Sequence, residues 1–333
     1  MMDKTVRLGF IGCGGNSRGH GRSIIGVEGT EIVGLTDVSQ DALDAFKEAV
    51  GFENDVPTFS HHREMLSAVQ PDAVVISTPH TLHFEQIMDA LDADCHVHTE
   101  KPMVCTVDHA KQVIDKIEET EKHLMIGYQR HLQSAYVYCR NVVQSEELGK
   151  ANFVAAHQCQ NWYRNQQGKW RQSLSLSGGG QLNDSGSHLI DILLWILEAS
   201  PSEVYAMMDY KNCEVDILTA MSIKFDTGAL CNISVVGHAV GSMHEDFTIW
   251  LENGTLFVRE GKVYREEQGT GRVEVKQEDL PQSENKDQAF IRLIRGQRTE
   301  NPIDARNGLR VIQLTEAAWE SAERNRPVKV DLG

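Results

Sequence analysis

Between residues 6 and 127 the chain alternates short apolar runs with longer stretches that carry an apolar residue at every third or fourth position. The short runs, at 6–11, 31–36, 56–60, 72–77, 96–99 and 124–127, are too brief for helices and read as buried strands. The stretches between them, one after the first strand to about Gly26 and others at 39–50, 62–68, 83–91 and 107–120, read as amphipathic helices. Repeated strand and helix units with short connections predict a doubly wound, Rossmann-type parallel sheet, with ligands at the carboxyl ends of its strands.

From about residue 151 the period changes to two. Runs at 151–157, 203–210, 216–225, 229–236, 247–251 and 255–258 alternate apolar and polar residues, and Asp226-Thr227-Gly228 and Asn253-Gly254 are turn signals between paired runs. This predicts an α+β domain on a large, open, mostly antiparallel sheet. Helices at 286–295 and 304–324 cover one face, together with a strongly apolar helix that opens near residue 181. The expected division is a nucleotide-binding domain at 1–127 and a substrate-binding and oligomerisation domain at 128–333, and 333 residues suit two cores better than one.

Composition narrows the partners. Thirty-two Lys and Arg stand against 48 Asp and Glu, and a net charge of −16 disfavours nucleic acid and anionic membrane surfaces. Seven scattered cysteines with no CxxC pair suit a reducing cytoplasm and offer no zinc-ligand spacing. The opening Met1-Met2-Asp3-Lys4-Thr5 leads straight into a strand, and no run reaches the roughly 20 apolar residues that span a bilayer. A cytoplasmic protein is the expectation.

Candidate chemistry sits at strand ends. The first strand delivers Gly12-Cys13-Gly14-Gly15-Asn16-Ser17, a glycine turn whose backbone N–H groups can approach a pyrophosphate at a helix amino terminus, although Ser17 stands where a third glycine is usual. The second strand ends at Asp37, an acid at the spacing that accepts hydrogen bonds from the ribose of NAD. With Val38-Ser39 following and no arginine for a 2′-phosphate, NAD is favoured over NADP. Other strand ends carry Thr78-Pro79-His80 with His83, and Glu100-Lys101-Pro102. Lys101 can polarise or bind a hydroxyl oxygen, or it can simply pair with Glu100.

In the second half, Gly178-Gly179-Gly180-Gln181-Leu182-Asn183-Asp184 runs into His188 and Asp191, and helical spacing places these three polar residues on one face of a buried helix. Two readings fit: a satisfied core histidine with a capping aspartate, or a catalytic pair. One Asp and one His without further ligands make no metal site. The loop at 158–177 carries Asn161-Trp162-Tyr163-Arg164 and Lys169-Trp170-Arg171. It either anchors itself to the core through its tryptophans or binds a hydroxyl-rich ligand, by stacking on a sugar and bonding its hydroxyls.

Together these blocks resemble the Gfo/Idh/MocA oxidoreductases, which include glucose–fructose oxidoreductase and inositol dehydrogenases. The resemblance runs over essentially the whole length. After Gly127 the row Tyr128-Gln129-Arg130-His131-Leu132 departs from the arginine pair, aromatic and proline often found in that family. The resemblance implies cofactor contacts from Gly12, Gly14, Gly15, Asn16, Ser17, Asp37, Thr78, Pro79, His83, Glu100, Lys101 and Gln129. It implies catalysis by Lys101, Asp184 and His188, and substrate contacts from these three with Arg130, Trp162, Trp170 and Arg171.

The implied reaction is hydride transfer between NAD and a secondary hydroxyl of a sugar, polyol or cyclitol. His188 acts as base, Lys101 stabilises the alkoxide, Asp184 holds the substrate or the imidazole, and Asp191 is structural. Two rivals share the fold: a glycosidase or lyase that recycles its NAD, and a non-catalytic NAD or sugar sensor. The family commonly forms dimers or tetramers through the open sheet, so a homodimer or homotetramer is expected.

Overall fold

Leu8, Phe10, Val74, Val75, Ile76 and Val97 are fully buried, as strands covered on both faces by helices must be. They belong to a computed structural model that describes residues 5–52 and 55–333; the opening residues 1–4, expected to lead into the first strand, lie outside it. The chain forms two compact units. The first comprises Met1–Val104, Asp108–Gly127 and Glu284–Gly308, and the second Cys105–Val107, Tyr128–Ser283 and Leu309–Gly333.

The first unit holds β1 (Val6–Ile11), β2 (Thr30–Thr36), β3 (Thr58–Phe59), β4 (Ala73–Ile76), β5 (His96–Thr99) and β6 (Leu124–Ile126). They are all parallel, in the order β3-β2-β1-β4-β5-β6. Between them run α1 (Gly15–Ile25), α2 (Gln40–Val50), α3 (His62–Val69), α4 (His83–Asp92) and α5 (Val107–Thr120). The order reverses between β1 and β4, the switch point where such sheets open a ligand crevice. The expected strand at 56–60 shortens to two residues, because β3 is an edge strand paired only at Leu35↔Thr58 and Thr36↔Phe59.

The second unit is built on β7 (Ala151–Cys159), β8 (Pro201–Asp209), β9 (Leu218–Phe225), β10 (Leu230–Val236), β11 (His244–Leu251), β12 (Gly254–Arg259), β13 (Lys262–Glu267), β14 (Val273–Glu274) and β15 (Val328–Lys329). Their order is β14-β13-β12-β11-β7-β10-β9-β8-β15. Neighbours are antiparallel except β7 and β10, which pair in parallel with Phe153 opposite Leu230. Both expected hairpins are present, β9–β10 around Asp226-Thr227-Gly228 and β11–β12 at Asn253-Gly254. On one face Val154, Ala156, Ile233, Val235, Phe247 and Ile249 are buried, and the helix Gly186–Leu197 packs against β7 there. The other face exposes Ala220, Ser222, Lys224 and Asn232.

Two differences from the sequence expectation have physical causes. The division at residue 127 omits Glu284–Gly308, which returns to the first unit because Asp287 and Lys286 bond to residues of α1 and the β5 end. The helix expected near 181 starts at Gly186, because residues 180–182 are bonded to Asp216 instead. Asp184 therefore sits in the turn before the helix rather than on its face. The helix Ser134–Gln144, with Ala135, Cys139, Val142 and Val143 buried, was not anticipated.

Candidate active site

Register aligns the carboxyl ends of the first sheet. Ile11 pairs with Thr36 and Ile76, Ile76 with Thr99, and Thr99 with Ile126. The next residue of each strand continues the ladder: Gly12 N donates to Thr36 O, Ser77 N to Ile11 O, Glu100 N to Ile76 O and Gly127 N to Thr99 O. Gly12, Asp37, Ser77, Glu100 and Gly127 thus form one row, and every first-unit candidate lies in it or just beyond it.

Gly12 has φ of +87°, and a Cβ there would stand 2.7 Å from the Ser77 carbonyl oxygen, so the turn closes only around glycine. At Gly14 and Gly15 a Cβ would meet nothing within 4 Å. Gly14 caps α1 with no side-chain hydrogen bond, and the first turn of α1 holds no acidic residue. The side-chain positions of both glycines are therefore open, and the uncapped N–H groups of this helix end make a cradle that fits a pyrophosphate. Asn16 is exposed, while Ser17 is buried and its Oγ has no partner among the described residues. Asp37 accepts from Cys13 N at 2.8 Å and Ser39 N at 2.9 Å, which fixes the carboxylate at the end of β2.

Around Lys101 the side chains divide into those that can reach a ligand and those that hold the loop. The Lys101–Pro102 peptide is cis, and Lys101 is 8% exposed. His83 lies with Nδ1 2.8 Å from the Pro102 carbonyl oxygen and Nε2 3.1 Å from that of Thr78. Burial pushes its pKa down, so the neutral ring donates to one of the two carbonyls and ties the two strand ends together. With no exposure it cannot reach a cofactor, so the structure makes it a positioning residue. Thr78 donates to Gln86 Oε1, and Thr78 and Pro79 remain partly exposed.

Glu100 also departs from the expected role. Its carboxylate accepts from His20 Nε2 at 3.0 Å and from Lys286 Nζ at 2.6 Å. His20 Nδ1 bonds to Asp287, and His98 Nε2 lies 3.3 Å from the same Asp287 oxygen. Both carboxylates only accept, so His20 satisfies both as an imidazolium. Burial and the Lys286 ammonium push its pKa down, but the bonds to Asp287 and Glu100 outweigh them and raise it. For Glu100, burial pushes the pKa up, and Lys286 and His20 bring it well below the usual carboxylate range. The network fastens α1 to the residue before Lys101.

In the second unit the glycine-rich turn is clamped by Asp216. Its carboxylate accepts from Gly180 N at 3.0 Å, Leu182 N at 2.8 Å and Trp319 Nε1 at 3.1 Å, while its carbonyl accepts from Gln181 N at 2.8 Å. This places Asp184, 4% exposed, where it collects the polar loop: Trp162 Nε1 donates to its Oδ2 at 2.7 Å and Arg171 Nε at 3.1 Å. The Arg171 guanidinium lies 4.3 Å over the Trp170 ring. Four of the expected substrate residues are thus gathered on one turn.

His188 is half-buried, edge-on to Tyr128 at 5.6 Å, and its Nδ1 has no partner among the described residues. Asp191 bonds to His131 Nε2 at 2.8 Å, inside the core. Gln129 is half-buried. Arg130 is buried, with Nη2 on Glu245 at 2.7 Å and Nη1 without a partner among the described residues.

The sequence reading missed Gln158 and Glu245. Gln158 Nε2 donates both to Glu245 Oε2 at 2.8 Å and to Ser185 O at 3.1 Å, so Arg130, Glu245 and Gln158 form a buried chain that ends on the turn beside Asp184. A signal was available: the inward positions of β7 read Val154, Ala156, Gln158 and those of β11 read Ile249, Phe247, Glu245, each apolar alternation ending in a polar residue with a covered side chain. His20 and Asp287, 267 residues apart, carried no such mark.

Comparison with known proteins follows these two units. Residues 6–128 match the model of an oxidoreductase family with an NAD-binding Rossmann fold, and residues 136–257 match the GFO/IDH/MocA C-terminal domain. Glucose-6-phosphate 3-dehydrogenase of Bacillus subtilis is 26% identical over 195 residues, 58% of this chain and 54% of that one. Inositol 2-dehydrogenase/D-chiro-inositol 3-dehydrogenase of Shouchella clausii is 26% identical over 195 residues, 58% and 53% of the two chains. The match thus spans about half the length of these relatives. In fold, the WlbA dehydrogenase of Bordetella pertussis, solved with NADH and UDP-GlcNAcA, is similar with a TM-score of 0.86 at 22% identity over 100% of both chains. Among the described residues no helix is long and apolar enough to cross a membrane. With both halves matched by the family's models, the chain belongs to the Gfo/Idh/MocA oxidoreductases.

Proposed function

We propose that the protein transfers a hydride between NAD and a secondary hydroxyl of a sugar, polyol or cyclitol. The observation that carries this reading is the gathering on Asp184: the buried Trp162, packed on Val215 and Ile217, steadies the carboxylate from behind, while Arg171 bonds it from the side and lies over the half-buried Trp170, giving donors and acceptors for hydroxyls beside one flat apolar ring. The names of the relatives, which concern glucose 6-phosphate and inositols, support the same substrate class.

The backbone of residues 12–17 would hold the pyrophosphate and Asp37 the adenosine ribose, with Val38, 90% exposed, offering apolar surface beside it. A 2′-phosphate would face the Asp37 carboxylate, which supports NAD over NADP. Bound NAD supplies the hydride acceptor. His188 accepts the hydroxyl proton, imidazole being the side chain that ordinarily titrates near neutrality. Lys101 stabilises the negative charge that develops on the hydroxyl oxygen, and Asp184 orients the ring through a neighbouring hydroxyl. His83, Glu100 and Asp216 act through the residues they hold.

The test follows NADH absorbance with NAD and inositols, aldoses and anhydrosugars. His188→Ala and Lys101→Met should each lower turnover by about 10²- to 10⁴-fold, the usual worth of acid–base assistance, while NADH affinity is kept. Normal turnover in both variants would overturn the reading. So would cofactor that stays bound through purification and cycles without net NADH.

A further inference from the structure

Strands β7 and β11 bring together four ligand-type side chains far apart in the chain. In their antiparallel register His157 stands opposite Asp246 and Cys159 opposite His244. Side chains two apart on a strand share a face, so all four lie on the side of the sheet opposite Val154, Ala156, Phe247 and Ile249. A nitrogen of His157, a nitrogen of His244 and a carboxylate oxygen of Asp246 all lie within 4.8 Å of one another. In the single chain His157 and His244 are half-buried and Asp246 is buried, so the cluster has a firm base.

We propose that His157, His244, Asp246 and Cys159 form a binding site for a zinc-type divalent cation. Two imidazoles, a carboxylate and a thiolate are the donor types zinc takes in tetrahedral sites. Ligand atoms on such an ion stand roughly 3.3–3.6 Å apart, so closure asks for shifts of about 1 Å in His157, His244 and Asp246, and for a rotation of Cys159, whose Sγ lies outside that group of three, toward them. The site is independent of the hydride-transfer reading.

Neighbouring groups are compatible with a cation. Asp246 Oδ1 accepts from Glu260 N at 3.0 Å, which steadies the carboxylate, while Oδ2 faces His244 Nε2 at 3.2 Å. Arg259 is the rival positive charge, but its Nη groups bond Phe247 O, Val258 O and Thr248 Oγ1, and its Nε stays 3.6 Å from Oδ2. Burial above all lowers the pKa of His157, leaving a neutral ring free to ligate. Burial and Asp246 raise that of Cys159, so the thiol keeps its proton until a metal displaces it.

A second cluster, His20, His98 and Asp287, differs. It is sealed, its His20 satisfies two carboxylates, and the Lys286 ammonium already neutralises Glu100. A dication there would stand beside two cations.

The experiment titrates the chelator-stripped full chain with Zn²⁺ against a chromogenic chelator, then with Co²⁺ while recording visible absorption. One equivalent should bind per chain, releasing the Cys159 proton. His157→Ala and His244→Ala should each weaken binding by more than about 100-fold, the upper end of what outer-shell losses cost. Cys159→Ser should abolish the thiolate-to-cobalt charge-transfer band and keep the d–d bands. Unchanged zinc affinity in His157→Ala/His244→Ala, with its unfolding temperature that of the parent, would overturn the proposal, as would no uptake by the unsubstituted chain.

Discussion

Gly180→Ala isolates the clamp that sets Asp184. Gly180 needs no unusual φ; the constraint is contact, since a Cβ would stand 2.0 Å from the Asp216 carbonyl oxygen, 2.5 Å from its nitrogen and 2.7 Å from its carbonyl carbon. These are backbone atoms, so no rotamer relieves the clash. Restoring an ordinary contact of 3.4 Å from the 2.0 Å approach requires the turn to move about 1.4 Å from the Asp216 backbone. That displacement strains or breaks the bonds from Gly180 N, Gln181 N and Leu182 N to Asp216. Overpacking of this kind costs about 3 kcal/mol, and each bond lost from a buried carboxylate adds roughly 1–3 kcal/mol.

Displacing Asp184 by about 1 Å should lower kcat/KM by about 100-fold. Thermal unfolding and steady-state NADH formation measure the two effects, and NADH fluorescence titration should show unchanged affinity because the cradle belongs to the other unit. Gly271→Ala, where a Cβ meets nothing within 4 Å, serves as the neutral control. A Gly180→Ala protein with parental stability and turnover would refute the argument that this turn is held by close approach.

Two further outcomes are expected. Asp37→Asn keeps the shape but weakens a charged acceptor to a neutral one, so NADH affinity should fall by about tenfold while NADPH gains relative to it. An unchanged NADH to NADPH ratio of dissociation constants would remove Asp37 from the ribose site. Because the folded pKa of His20 is raised, its contribution to stability is complete below about pH 6.5, the unfolded value, and is lost as pH rises through the folded one. Urea midpoints between pH 6 and 9 should fall in the parent and stay flatter in His20→Gln; parallel curves would show that the imidazolium is not the source.

Local pattern determined much of this molecule. The strands of the first sheet, the glycine turn, Asp37 at the end of β2 and both tight hairpins follow from periodicity and turn chemistry, which act over a few residues and so are written in neighbouring positions. The aromatic loop stood out in the sequence with two readings, an anchor or a sugar platform; through space Trp162 is buried against Val215 and Ile217 and bonds Asp184, as does Arg171. Tertiary structure alone decided the rest. It turned Glu100 and His83 inward, delayed the start of the helix to Gly186 by bonding Gly180 and Leu182 to Asp216, and returned Glu284–Gly308 to the first unit. The same holds for His157 opposite Asp246. Buried polar groups must find partners wherever the fold supplies them, and a partner reached through space leaves no period in the chain.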